Sequence, residues 1–185
     1  MELTRKLQEI IDAISRERET LLREVEGLSE AQLEYKTADD RWAISDLMHH
    51  LALSDEANVK LFAIMASQAR EKDIPKDTAP DASALGCIDH IKEMAGNRPA
   101  RAPDRVAPRT HLPVEESLAR LAGARQKLIE KVGELSGYDL TQLSFPHPFF
   151  KDLDGYQWLL LAGWHEARHT AQIGRIKSHE GFPAS

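Results

Sequence analysis

Residues 154–179 read DGYQWLLLAGWHEARHTAQIGRIKSH, a run of apolar residues at helical spacing with histidines among them. Successive residues of a helix advance by about 100°. On that wheel His165 and His169 fall on the same face as the apolar residues Trp158 and Ile173. The pattern predicts one amphipathic helix over this stretch that turns two histidines toward the protein interior.

Three other long segments show the same helical spacing of apolar residues. They run from about Thr4 to Gly27, from Trp42 or Ala43 to about Arg70, and from just after Pro113 to Gly137. Residues 71–113 hold six prolines, which exclude one continuous helix, although a short helix from about Ala82 to Met94 is expected there. No segment alternates with period two. The sequence therefore predicts an all-α four-helix bundle with a long irregular connection between its second and third helices, in a single domain over residues 1–185.

The composition excludes several classes of protein. The net charge of −6 argues against nucleic acid as the main partner, because phosphate binding depends on lysine and arginine. The longest apolar stretch, near residues 158–164, is much shorter than the roughly 20 residues that span a bilayer. The single cysteine, Cys87, rules out an intrachain disulfide and a cysteine-based zinc site. Met1–Lys6 lack the apolar core of a secretion signal, so a cytoplasmic location is expected.

The histidine pattern indicates a metal site. His165 and His169 are four residues apart, which on a helix brings two imidazoles close enough to share a metal ion. Buried histidines need polar partners or a metal, so the pair alone fits a structural role equally well. On the second long helix, His50 lies at the margin of the apolar stripe and His49 lies nearly opposite it, which predicts that His50 points inward and His49 into solvent. Three inward imidazoles leave coordination positions open for water or substrate.

A family resemblance rests on motifs spread over nearly the whole chain. They are Leu28-Ser29, RWAISDLMHHLA at 41–52, VAP at 106–108, Arg125, FPHP at 145–148, Trp158 and HEARHTAQI at 165–173. In this order and spacing the chain resembles the DinB-like family, also called the metal-dependent hydrolase or YfiT-like bundles. The resemblance implies one metal ion, zinc or nickel, held by three histidines that map to His50, His165 and His169.

The resemblance also implies a function. Some members transfer a low-molecular-weight thiol such as bacillithiol, mycothiol or glutathione to an electrophile, and others are called hydrolases. We therefore expect a metal-dependent enzyme that activates a thiol or water for attack on a small electrophilic substrate. The alternative is a non-catalytic, metal-stabilised binding or stress-response bundle. Either reading is compatible with a homodimer formed through an apolar helix face.

Three further residues have two interpretations each. Glu166 is a candidate base, or a group that lies near the metal and contacts its ligands without binding the metal itself. Arg125 lies on the side of Leu121 and Leu128, so it either binds an anionic substrate or cofactor or forms a salt bridge inside the bundle. His147, between two prolines, either lies near the site or caps the fourth helix.

The competing enzyme class is the zincin protease, because His165-Glu166-x-x-His169 matches the motif His-Glu-x-x-His. Two observations argue against it. The elongated form of that motif needs a glycine and a third histidine where this chain has Gln172 and Arg175. The sequence also shows no strand pattern for the sheet edge that usually aligns a peptide substrate.

Overall fold

The structure is a computed structural model that describes residues 2–95 and 101–184. Its long helices are α1 (Arg5–Val25), α3 (Ile44–Glu71), α5 (Val114–Glu134) and α6 (Gly155–Lys177), and its short helices are α2 (Glu30–Leu33) and α4 (Asp89–Ala95). The predicted mostly helical four-helix bundle is confirmed. Residues 96–100 of the long connection lie outside the described residues. Within the described ranges, no helix is long and apolar enough to cross a bilayer.

Side-chain caps fix where the helices begin. The hydroxyl of Thr4 accepts a hydrogen bond from the backbone N–H of Leu7 at the start of α1. At the start of α6, the carboxylate of Asp154 accepts from the N–H of Gln157, and the side-chain oxygen of Gln157 accepts from the N–H of Asp154. This reciprocal pair satisfies two backbone donors that the helix leaves unpaired. The helix that carries two of the predicted metal ligands therefore has a firmly defined start.

The long helices pack mainly in two pairs, α3 against α5 and α1 against α6. Gly163 makes the second pair unusually close. A Cβ atom at this position would lie 2.8 Å from Cγ2 of Ile14 and 3.1 Å from its Cα, closer than side-chain atoms normally approach. The missing side chain of Gly163 thus sets the distance between α1 and α6 just before His165.

The core is divided into two apolar clusters, and each draws on all four long helices. Members of the first include Ile10, Phe62, Leu128 and Leu159. Members of the second include Leu21, Leu47, Leu121 and Ile173. Along each long helix, one buried charged residue lies between the two clusters: Arg18, Asp55, Arg125 and Glu166. We call these four residues the ion layer.

A small hairpin precedes α6 and was not expected from the sequence. Strands β1 (Ser144–His147) and β2 (Lys151–Asp154) pair antiparallel, with His147 opposite Lys151. Each strand has only four residues, and β1 contains Pro146, which cannot donate to the ladder. Strands this short carry too few alternations for a period-two pattern to stand out.

Candidate metal centre

The structure brings His50, His165 and His169 together, although His50 comes from a different helix. His50 lies on α3, and His165 and His169 lie one turn apart on α6. Nε2 of His165 is 3.2 Å from Nε2 of His50 and 3.0 Å from Nε2 of His169. One nitrogen of each ring lies within 4.8 Å of the others, so the three side chains could hold a metal ion together. Among the described residues, this is the group of three or more possible ligands that lie this close. We call this group the three-histidine centre.

Hydrogen bonds on the far side of two of these rings fix which nitrogen carries the proton. Nδ1 of His50 is 2.7 Å from the carbonyl oxygen of Val106, and Nδ1 of His169 is 3.1 Å from Oε1 of Gln172. Both oxygens accept hydrogen bonds, so each Nδ1 carries the proton and each Nε2 presents a lone pair. Such contacts are the usual way in which a protein orients a histidine for metal binding.

The three rings cannot satisfy one another. Nε2 of His165 lies between two lone pairs, and a neutral imidazole has one proton to give. At most one of the two contacts is therefore a hydrogen bond, and one buried lone pair is left without a donor. A divalent cation between the three nitrogens would accept all three lone pairs, so this donor set fits zinc or nickel.

The electrostatics of the centre keep the imidazoles neutral. Burial lowers the pKa of His169 to about 3, with a further lowering by His50. Burial followed by the charges of His169 and His50 holds the pKa of His165 well below 6.5. Burial also lowers the pKa of His50, although its hydrogen bond to Val106 acts in the opposite sense. Neutral imidazole is the form that binds a metal.

Aromatic side chains surround the centre. The ring of Trp42, just before α3, lies 5.0 Å from that of His50 at a tilt of 49°. On the other side, the guanidinium of Arg168 lies over the ring of Trp164, 5.9 Å from its centroid. His50 and His169 are buried, whereas His165 is partly buried and is the least enclosed of the three rings.

Glu166 belongs to the ion layer. Its Oε1 lies 2.6 Å from a terminal nitrogen of Arg125 and also accepts hydrogen bonds from Arg18. Asp55 accepts from Arg18 at 2.6 Å and lies 3.6 Å from Arg125. Both arginines also donate to backbone carbonyls, Arg18 to that of Leu121 and Arg125 to that of Ile14. Two cations and two anions thus cancel one another within the core.

This arrangement bears on two of the sequence-based predictions. Glu166 is 1% exposed and is not part of the three-histidine group. Arg125 is 8% exposed and forms the salt bridge inside the bundle that was one of its two predicted roles. The geometry favours a role for both in holding the helices together. Their roles as a base and as a cofactor-binding residue stay predictions.

The prediction that His49 faces solvent is wrong, because this side chain is 6% exposed. Two turns further along α3, Glu56 pairs with Arg120 of α5 at 2.7 and 2.8 Å, so this side of α3 packs on α5. His50, the next residue and about 100° further around the helix, points toward α6. The helical wheel assumed a single apolar stripe, which describes a helix with one buried side, whereas α3 is buried on two.

Sequence reasoning also missed members of the ion layer and the partners of the three-histidine centre. Arg18 and Asp55 had a detectable signal, since each occupies a core-facing position of its helix: Arg18 follows Ile14 by four residues, and Asp55 follows Leu51 by four. The backbone carbonyl of Val106 had no such signal, because every residue type carries a backbone carbonyl and the sequence does not show which one will accept a hydrogen bond. Gln172, three residues after His169, is detectable only once the ligand is known.

Comparison with known proteins was consistent with this site. A family model described as the DinB superfamily matches residues 13–173 and so spans all three histidines. The "Uncharacterized protein YuaE" of Bacillus subtilis (strain 168) is 27% identical over 158 residues, covering 83% of this chain and 88% of that protein. A protein of Geobacillus thermodenitrificans (strain NG80-2) named "Putative metal-dependent hydrolase" is 25% identical and covers 95% of this chain and 86% of its own length. A protein of similar name from Geobacillus kaustophilus (strain HTA426) is 24% identical over 177 residues, covering 96% of this chain and 87% of that protein.

A solved structure supports the fold. The crystal structure of TT2238, described as a four-helix bundle protein, superposes with a TM-score of 0.61 and covers 91% of this chain and 98% of its own. The two sequences are 22% identical, so this likeness concerns the architecture alone.

Proposed function

Because the chain belongs to the DinB superfamily, we propose that it is a metal-dependent enzyme whose zinc or nickel ion is held by His50, His165 and His169. In this proposal the site activates a low-molecular-weight thiol or a water molecule, which attacks a small electrophilic substrate. The observation that carries it is the convergence of three Nε2 atoms, of which two present lone pairs fixed by hydrogen bonds at Nδ1. Two relatives bearing a metal-dependent hydrolase name support the hydrolytic form of the reaction.

A divalent ion bound there would lower the pKa of a coordinated thiol or water and so supply the nucleophile at neutral pH. The chain's own residues prepare the site. Val106 and Gln172 hold the rings of His50 and His169 in the tautomer that leaves Nε2 unprotonated. Trp42 covers one side of His50 and keeps bulk water away from it. In this proposal the substrate approaches from the side of His165, which is the least buried of the three rings.

The second candidate is a bundle in which the metal serves stability or ligand binding and no reaction occurs. One observation favours it: Glu166, the nearest candidate base in the sequence, already accepts hydrogen bonds from Arg18 and Arg125. Burial raises the pKa of Glu166 against the opposing effect of Arg125 and Arg18, but at 1% exposure the carboxylate is enclosed within the ion layer and away from a substrate. Among the enzymatic alternatives, this contact also weighs against a zincin protease, whose glutamate must act on water.

The experiment that separates these candidates compares metal-loaded wild type with His165→Ala and with the control His111→Ala, whose side chain is exposed. We measure metal content, conjugation of glutathione and bacillithiol to 1-chloro-2,4-dinitrobenzene, and hydrolysis of p-nitrophenyl acetate. The proposal predicts turnover in wild type and the control, and loss of both metal and turnover in His165→Ala. Metal without turnover in any assay would favour the second candidate.

The cellular setting is part of the proposal. A chain with one cysteine suits the reducing cytoplasm, where low-molecular-weight thiols are abundant. All three histidines belong to one chain, so the site needs no partner subunit. A homodimer and a small-molecule substrate stay predictions.

A further inference from the structure

The hairpin formed by β1 and β2 lies against the part of α6 that leads into the three-histidine centre. The ring of His147 lies 4.9 Å from that of Trp158, which shares a helix face with His165. Phe150 lies 6.3 Å from Trp164, the residue directly before His165. After burial and the other two imidazoles of the centre, His147 also contributes to lowering the pKa of His165. The hairpin therefore packs on the turns of α6 that lead into the three-histidine centre.

The tautomer of His147 is set by the hairpin itself. The backbone N–H of Phe149 donates to Nδ1 of His147 at 3.2 Å. An Nδ1 that accepts a hydrogen bond carries no proton, so the proton of the neutral ring is on Nε2. The ring is further held by stacking on Phe150, with centroids 4.8 Å apart and planes 17° apart. The hairpin thus presents an oriented donor next to the centre.

Phe149, at the tip of the hairpin, is apolar and yet 52% exposed. Its ring lies 5.8 Å from that of His147. A half-exposed aromatic ring beside an oriented donor is the combination that small-molecule sites use to hold an apolar body and fix one polar atom. Burial, and after it the positive charge of Arg105, lowers the pKa of His147 to about 4, so the ring is neutral near pH 7.

We propose that the hairpin is the second half of the substrate site: the Nε2–H of His147 donates a hydrogen bond to an oxygen of the ligand, and Phe149 contacts its apolar body. This inference rests on the proposed function, because it needs a ligand anchored at the three-histidine centre. It assigns the substrate class as an apolar, flat molecule that carries a carbonyl or carboxylate oxygen beside the anchored atom. It also makes His147 a binding residue for the reaction.

The first test needs no metal. Nitrogen-15 NMR of the metal-free protein distinguishes the two neutral tautomers of each histidine, and His147→Gln identifies the signal. The proposal predicts a proton on Nε2 of His147. A proton on Nδ1 overturns it, because Nε2 is then no donor.

The second test uses cobalt-loaded protein, whose visible spectrum reports ligand binding, with acetohydroxamate and benzohydroxamate as probes. The two probes share the chelating oxygens and differ in the aromatic body. Loss of one hydrogen bond in His147→Phe should weaken both probes by roughly three- to tenfold, and His147→Gln, which keeps an N–H, should recover most of the affinity. Phe149→Ala should weaken benzohydroxamate by about threefold or more and leave acetohydroxamate nearly unchanged. His111→Phe is the matched control at an exposed histidine.

The outcomes separate this inference from the proposed function. Full cobalt content with unchanged probe affinities in His147→Phe overturns the inference and leaves the metal site standing. Cobalt and probe binding without turnover removes the enzymatic proposal and leaves the hairpin's role in binding supported. A wild-type protein that binds no cobalt overturns both.

Discussion

His165 and Glu166 are neighbours on α6, yet they lie in two buried polar groups of opposite chemistry. The ion layer around Glu166 joins two cations to two anions, and the four long helices each contribute one. The three-histidine centre joins three neutral rings whose lone pairs face one another. The ion layer pairs its charges without a ligand, although Nε of Arg125 and Oε2 of Glu166 have no hydrogen-bond partner. The three-histidine centre leaves at least one imidazole lone pair without a donor.

The difference shows how a buried polar group can be assigned to structure or to function. Burial costs free energy in both groups, and in the ion layer opposite charges and backbone acceptors offset that cost. In the three-histidine centre, hydrogen bonds to Val106 and Gln172 offset the cost at two Nδ1 atoms, but the converging Nε2 lone pairs are not all matched by a donor. A site with lone pairs but no donor is one that fits a cation, and a site with matched charges is one that braces the fold.

The largest expected effect comes from breaking the ion layer. Glu166→Ala leaves the guanidinium groups of Arg18 and Arg125 buried without their shared partner, which should cost about 3–5 kcal/mol of unfolding free energy. Urea denaturation of the metal-free protein measures it. Glu134→Ala, which removes a carboxylate paired with Arg70 and Lys131 at the surface, is the control and should change little. Equal effects of the two variants would mean that the ion layer does not brace the bundle.

Adding or removing metal tests the three-histidine centre. At a metal concentration about a thousandfold above the dissociation constant, binding should raise the unfolding free energy of wild type by about 4 kcal/mol. The unfolding free energy of His165→Ala should not rise when metal is added. Without metal, it should lie within about 1 kcal/mol of the wild-type value, because the substitution removes a contact that is not satisfied. Thermal or urea unfolding with metal and with chelator gives both numbers. A large loss in the metal-free variant would instead make the three rings structural.

A smaller effect is expected from the hydrogen bond between His169 and Gln172, on the ring nitrogen that faces away from the three-histidine centre. Gln172→Leu removes the acceptor of the Nδ1 proton of His169 and should weaken metal binding by about 10- to 100-fold. Gln172→Glu keeps an acceptor and should bind at least as tightly as wild type. Competition with a chromophoric chelator measures the dissociation constants. If both variants bind like wild type, this hydrogen bond does not orient His169.

The smallest effect is expected at a half-buried ion pair, Glu56 with Arg120, of the same chemistry as the ion layer. The hydrogen bond from Arg120 is the main cause that lowers the pKa of Glu56 below its ordinary value of 4.5. The pair therefore contributes stability above about pH 4.5 and loses it as the pH falls through the lower folded-state pKa. Glu56→Gln should cost less than about 1 kcal/mol at pH 7 and nothing in strong acid, as unfolding curves at several pH values would show. A cost at pH 7 as large as that of Glu166→Ala would remove the contrast between buried and half-buried pairs.

The helices and the inward direction of the three histidines were predictable for a shared reason. Helical spacing of apolar residues fixes which side of a helix is buried, and this spacing alone assigned His165 and His169 to the inward face of α6. The same reasoning chose His50 over His49 and was right about His50. It failed for His49 because the spacing within one helix does not say how many neighbours that helix has.

The rest of the site depends on contacts between distant parts of the chain. The pairing of Glu166 with Arg18 joins residues 148 positions apart, and the contact of His50 with Val106 joins a side chain to a backbone carbonyl 56 positions away. No local pattern encodes such pairs. The hairpin was missed because its four-residue strands and Pro146 give no alternation to detect.

The most direct test of the metal assignment is elemental analysis of protein purified without a metal-affinity column, with wild type beside His50→Ala. The account predicts about one zinc or nickel ion per chain in wild type and none in the variant, since three histidines supply the whole donor set. No metal in freshly purified wild type, and none taken up on titration with zinc or nickel, would contradict it.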